Sequence, residues 1–321
     1  MRAILCLLVL VAAVALSMRY SEHHTGTNST AFQTLYMHIV PAKLVVPEHA
    51  PAAEHGADQA AHHAATPLVS VTANFLPAAF DGDAARPGVQ LVASNLQLFQ
   101  VAAVLLVLIA FSGVAAHIRS GGGDWLTRRL AGFALWVRDE MVIPKMGQHH
   151  GTQFLPWFLC VFFFILFMNL LGLVPGSATA TASIFVTAAL ALITLLSMIV
   201  CGMVVQGPIA FWKNLVPHVP LALWPLMFLV ELIGLLVKPF ALMVRLFANM
   251  SGGHMVVLSF MGLIFFFAGD NMSSMGYAVA PVAVGFAVFI MIIESFVALL
   301  QAYIFTQLSI LFVASSIHPE H

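Results

Sequence analysis

The sequence predicts an all-α integral membrane protein with about five membrane helices, an interfacial amphipathic helix, and a final pair of long, strongly tilted helices forming a hairpin. Three observations predict it. Of 321 residues, 61% are hydrophobic and only 8% are charged, against about 25% charged in ordinary soluble domains. Several uncharged apolar runs reach the roughly 20 residues a helix needs to cross a hydrocarbon core. The few ionisable residues inside the last runs recur at helical spacing. The formal net charge is −1 and no Lys/Arg cluster exists, which excludes a nucleic-acid partner, because phosphate backbones call for grouped cations. Cys6, Cys160 and Cys201 sit inside apolar runs without pairing or metal-ligand spacing, so neither a disulfide framework nor a metal site is expected, and no cofactor.

Residues 1–20, with Arg2 ahead of an apolar stretch from Ala3 to Met18, read as a signal peptide or a short signal anchor. Both readings export the segment after it. Residues 21–90 form that exported segment, partly disordered and rich in His, Ala and Pro; Arg19 to Pro87 holds half of the chain's 14 histidines, including the pairs His23-His24 and His62-His63. No spacing there is diagnostic of a metal, and a solvated linker is the expected reading. Residues 91–316 are the membrane channel domain, and 317–321 a cytoplasmic tail.

The first span runs from about Leu91 to Ala116, interrupted only by neutral Asn95, Gln97 and Gln100. The basic stretch after it, with Arg119, Arg128, Arg129, Arg138 and Lys145, belongs on the cytoplasmic or matrix side and leaves the N-terminal segment outside. Within it Leu126, Leu130, Phe133, Val137 and Met141 recur at helical spacing, with Arg128, Asp139 and Glu140 off the stripe. That pattern predicts an amphipathic helix on the membrane face, with Trp125 and Trp136 at the interface. Phe154 to Val205 carries no charge and breaks at Pro175-Gly176-Ser177, giving a helical hairpin. Lys213 and His218 then lie inside. Two more apolar stretches come next, about Leu221 to Ala268 and Tyr277 to Val313, turned around Gly269-Asp270-Asn271. Five crossings place the C-terminus inside. As helices, the portions Leu221 to Met250 and Pro281 to Ser315 would extend about 45 to 50 Å at 1.5 Å per residue, against a core of about 30 Å. Strong tilt accommodates that mismatch, with Pro225 and Pro239 as places to kink.

A charge at mid-bilayer costs roughly 2.5 to 3.5 kcal/mol, so each one present is a functional candidate. Glu231, Lys238 and Arg245 are spaced by sevens, and Asn249 lies one turn after Arg245. At about 100° per residue all four share a narrow stripe. Glu294 and Gln301 are again seven apart, and His254 comes directly after Gly252-Gly253, where small residues let a neighbouring helix approach. Interhelical packing accounts for one isolated charge about as well as function does, and for Lys238 it is preferred. It does not account for two such stripes. Arginine keeps its proton at neutral pH and acts as a fixed positive barrier. Glu and His exchange protons, so His254 with Glu294 makes a relay at one water-filled entrance, and Glu231 lines another at the opposite end. The pattern is that of two half-channels separated by Arg245.

The segment Pro239-Phe240-Ala241-Leu242-Met243-Val244-Arg245-Leu246-Phe247-Ala248-Asn249-Met250 resembles the signature of subunit a of F-type ATP synthases. Asn169-Leu170-Leu171-Gly172-Leu173-Val174-Pro175 and Leu300-Gln301-Ala302-Tyr303-Ile304-Phe305 are similar to two further motifs of that family, in the same order. The resemblance covers about Leu91 to Ser315. It implies that Arg245 faces a rotating ring of c subunits, each bearing a membrane carboxylate. It further implies that Asn249 and Gln301 are polar positions beside Arg245, and that His254 and Glu294 pair in the entrance half-channel. In some members the acid and imidazole exchange places. Glu231 matches an acidic position of the exit half-channel and Lys238 a basic one of less certain role. The implied protein is a non-catalytic, proton-conducting subunit in a bacterial inner membrane, or less readily an organellar one. Its implied partners are the ring, peripheral-stalk b subunits and, indirectly, a soluble ATPase head. Two other classes stay open on the residues alone: a secondary transporter binding a small anion at Arg245, although no internal repeat is visible, and a structural anchor whose buried charges tolerate neutral replacement.

Overall fold

The computed structural model describes residues 2–20, 70–73, 89–92, 94–114, 124–174, 179–216, 223–268 and 274–317, and positions 117, 119, 121, 219 and 220. The histidine pairs of the exported segment, the break at Pro175-Gly176-Ser177, His218, the turn at Gly269-Asp270-Asn271 and the tail after Ile317 lie outside them.

Apolar composition turns into helix wherever a run is long, because backbone groups without water must bond within the segment. Helix α1 (Arg2–Tyr20) lays Cys6, Leu10 and Ala13 against α2 (Asn95–Phe111), meeting Phe99, Ala103 and Leu106, while Leu7, Leu8 and Val11 stay exposed. Just before α2, short strands β1 (Ser70–Ala73) and β2 (Val89–Val92) pair antiparallel. This pair is an addition to the all-helical expectation, and it takes the first residues of the anticipated span, so α2 begins at Asn95. Ser94 sets that start: its N–H donates to Gln97 Oε1 at 3.3 Å, the reciprocal arm of a capping box. Helical bonding continues past Phe111, with His117 N–H to Gly113 O at 2.9 Å.

Helix α3 (Trp125–Trp136) runs through one π turn (Val137–Val142) into α4 (Ile143–Gly172). The amphipathic prediction holds in burial: Val137 and Met141 are buried, while Arg128, Asp139 and Glu140 are exposed. The chain turns from this helix into the next span at Gly147, whose φ of 73° and ψ of 170° break the helical dihedrals. A Cβ there would meet nothing within 4 Å, so the backbone conformation rather than space calls for glycine.

Helix α5 (Ile184–Gln206) returns, short α6 (Pro208–Asn214) comes next, and α7 (Trp224–Ala268) and α8 (Ser274–Ile317) close the bundle. Four helical stretches among the described residues are long and apolar enough to cross a membrane, and α2 is a shorter apolar helix of 17 residues. At 45 residues α7 is about 68 Å long, more than twice the hydrocarbon thickness. It exceeds the expected span because the helix continues unbroken through Ser251-Gly252-Gly253. Pro225 lies in its first turn, where a missing N–H costs nothing, and Pro239 is carried inside the helix.

The long helices pack against each other antiparallel. As numbers rise on α7 they fall by a like amount on α8: Lys238 lies by Phe312, Asn249 by Gln301, Gly253 by Glu294 and Phe260 by Phe286. Small side chains permit this closeness, with Ala283, Ala287, Ala298 and Ala302 all buried on α8. Leu242, Leu246 and Met250 of α7 fill the remaining space with Phe162, Phe163 and Ile165 of α4.

Candidate functional site

On α7 the buried positions Leu235, Pro239, Leu242, Leu246 and Met250 define the face turned to the rest of the chain. The stripe Glu231, Lys238, Arg245 and Asn249 lies roughly a quarter-turn away from it. Lys238 and Asn249 are accordingly exposed, and Glu231 and Arg245 half-buried. Around Arg245 the residues Ala241, Val244, Ala248 and Gly252 are exposed too. A guanidinium therefore stands at the edge of an uncovered, small-residue face. Among the described residues Arg245 enters no ion pair, with Glu231 or any other acid.

The second stripe is deeper. Glu294 and Gln301 are 6% and 2% exposed, within the contact between the two long helices. Asn249 Nδ2 donates to Gln301 Oε1 at 2.8 Å, which joins the two polar stripes one turn from Arg245. Seven residues earlier on α8, the Glu294 carboxyl packs on Gly253: a Cβ built on that glycine would stand 2.6 Å from Glu294 Cδ. His254 is the next residue of α7 and half-buried. The close approach expected at Gly252-Gly253 is found at Gly253 alone, where the acid fills the space, while Gly252 stays open.

Gly253→Ala is expected to displace Glu294 and, on the relay that the sequence leads one to expect, to lower proton flux several-fold while the bundle still folds. Overpacking of this kind costs about 1 to 3 kcal/mol. Proton-flux measurement on reconstituted membranes checks it, and wild-type flux would show that the carboxyl's seat on Gly253 is not needed.

At the other end Glu231 and Lys238 open into a cavity of about 680 Å³, which also takes in Lys145, Gln206, Asn214 and Ser316. Lys238 Nζ lies 5.7 Å from the Phe312 ring centroid, within the range of a cation–π contact. Along α7, Arg245 is about 21 Å from Glu231 and about 14 Å from His254 at 1.5 Å per residue. The structure thus brings together Asn249 with Gln301 and Glu294 with Gly253, and holds Glu231 apart from both.

Sequence reasoning missed several polar groups. Asn169, fully buried on α4, donates from Nδ2 to Ala298 O at 3.3 Å, one turn past Glu294. Its signal was available: a lone amide in a charge-free run must find a partner. Gln206, Asn214 and Ser316 gave no such signal, because they stand at helix ends where water could have served them. Among the described residues no group of three or more His, Cys, Asp or Glu could hold a metal.

The family described as ATP synthase A chain matches residues 94–314. ATP synthase subunit a of Myxococcus xanthus (strain DK1622) is 47% identical over 187 residues, covering 58% of this chain and 59% of the relative. ATP synthase subunit a of Chloroherpeton thalassium is 42% identical over 231 residues, 71% of this chain and 67% of the relative. ATP synthase subunit a 2 of Chlorobaculum tepidum is 34% identical over 336 residues, 97% of this chain and 92% of the relative. The chain thus spans well under two thirds of the Myxococcus relative and nearly all of the Chlorobaculum one. Two thirds of its length, including every ionisable residue of both long helices, lies within the matched region, and the chain belongs to the ATP synthase A chain family.

Proposed function

We propose that the chain conducts protons through two offset half-channels of an ATP synthase membrane sector and couples their flow to rotation of a ring of c subunits. The observation that carries this reading is Arg245, without an ion-pair partner among the described residues, on an uncovered face of α7 between two separate polar regions. A cation in that position needs an anion from outside the chain, and a ring carboxylate supplies it. A proton arriving from the outer side passes the His254 and Glu294 region and neutralises a ring carboxylate, which then faces lipid without the cost of a buried charge. After nearly a full turn the carboxylate reaches the cavity at Glu231 and releases its proton inward. Arg245 attracts the resulting anion and repels protons that would leak straight across. Asn249 and Gln301, bonded to each other, hold the helices in register beside it.

In this reading the subunit itself catalyses nothing. Its partners are the c-ring, peripheral-stalk b subunits and, through them, a soluble ATPase head. It resides in a bacterial inner membrane with residues 21–90 outside and the C-terminus in the cytoplasm. The open small-residue face favours a protein partner over the anion-transporter alternative, which needs a closed site around its substrate.

A tagged chain purified in mild detergent should bring down a ring of small hairpin proteins and the ATPase head, and Ala248→Cys should cross-link to a cysteine placed beside the ring carboxylate. Recovery of the chain without a ring, or cross-linking only to lipid-facing controls, overturns the assignment.

A further inference from the structure

We propose that Gln206 is a positioning residue for the inward cleft, holding open the wall that faces Glu231. The proposal rests on reading that cavity as the inner half-channel. Gln206 ends α5, and its side chain joins two other helices. Nε2 donates to the carbonyl of Ser316 at 2.6 Å, one of the last four carbonyls of α8 that have no partner within their own helix. Oε1 accepts from Asn214 Nδ2, at the end of α6, at 3.0 Å.

Two further contacts on the same α5 face complete the joint. Ser316 Oγ donates to Met198 O at 2.8 Å. Gly202, one turn from both Met198 and Gln206, lets the end of α8 and the Phe211 ring lie against α5, since a Cβ there would sit 2.6 Å from Phe211 Cε2. Met198, Gly202 and Gln206 are thus a ridge at spacing four that clamps α6 and the last turn of α8. Five residues of this joint, Met198, Gln206, Phe211, Asn214 and Ser316, line the cavity holding Glu231 and Lys238.

The joint acts on the cleft in two ways. The amides give water in the cleft polar partners opposite Glu231, and a polar cavity stays wet only with such partners. The clamp also stops α8 from unwinding or moving in to fill the space. An apolar side chain at 206 removes both effects, so the cleft dries and narrows.

The test measures water access without turnover. In the assembled complex, with Cys6, Cys160 and Cys201 replaced by alanine, Leu235→Cys places a thiol in the cavity. Its modification by a membrane-impermeant cationic methanethiosulfonate is monitored from the inner side of inverted vesicles. Gln206→Leu should slow modification about tenfold, the change expected from losing its two hydrogen bonds at about threefold each. ATP-driven proton pumping should fall with it. Ser259→Cys, far along α7 and probed from the other side, should react as before. Asn214 is exposed, so Asn214→Ala serves where Gln206→Leu fails to assemble, with an expected slowing of about threefold. The double variant should be no slower than Gln206→Leu alone, as for residues in one chain of bonds. Unchanged modification in both variants, or effects that multiply, overturns the positioning role. That outcome is separable from failure of the proposed function, which would show as normal ATP synthesis in Arg245→Ala with the cleft still reactive.

Discussion

Arg245→Ala is expected to abolish proton-driven ATP synthesis, with at least about a hundredfold loss, in membranes that still assemble the complex. The magnitude comes from what the charge does. In the proposed mechanism a carboxylate leaving lipid is drawn to the guanidinium, and holding a charge at this depth costs roughly 2.5 to 3.5 kcal/mol. At about 1.4 kcal/mol per factor of ten, losing that attraction slows the step by about two orders of magnitude. The fold should survive, because Arg245 forms no ion pair among the described residues and lies beside, rather than within, the packed face of α7. ATP synthesis by inverted vesicles under an imposed proton gradient, compared at equal complex content, decides it. Arg245→Lys should restore little, since a compact ammonium on a flexible stem does not present the guanidinium's fixed planar donors. Wild-type synthesis in either variant would remove Arg245 from the mechanism.

The second large effect is at Glu294. Glu294→Gln keeps the shape of the side chain packed on Gly253 but removes the proposed proton carrier, so proton flux should fall at least about a hundredfold, the lower end of the range for losing a positioned proton-transfer group. Assembly should be nearly unaffected. Glu294→Asp keeps the chemistry but withdraws the carboxyl from Gly253, and should give an intermediate flux. A clean separation requires passive flux through the membrane sector with the ATPase head stripped off, because that readout involves no ATP chemistry. Unchanged flux in Glu294→Gln would break the proposed link with His254.

The two stripes show how far periodicity reaches. Glu231, Lys238, Arg245 and Asn249 at intervals of seven, seven and four had to share one side of a helix, and their arrangement on α7 obeys the spacing. The amphipathic helix was legible for the same reason, since Val137 and Met141 are buried and Arg128 and Glu140 exposed in phase with the pattern. Less legible was which side of each helix the chain itself would cover. Spacing alone defined two polar stripes but not how deeply each is covered, whereas the fold buries Glu294 and Gln301 and leaves the Arg245 stripe at an open edge. The short strands beside α2 were hidden because four-residue segments carry too little pattern to separate from a linker.

Local sequence therefore determined the membrane character, the order of the spans and the identity of the ionisable groups, because apolar run length and helical period are properties of a single segment in lipid. Tertiary structure alone decided that Gln301 meets Asn249, that Glu294 lies on Gly253, and that Gln206 reaches the end of α8. Those contacts join residues from 41 to 110 positions apart, and their register depends on how small and large side chains interlock across helices, which no one segment encodes.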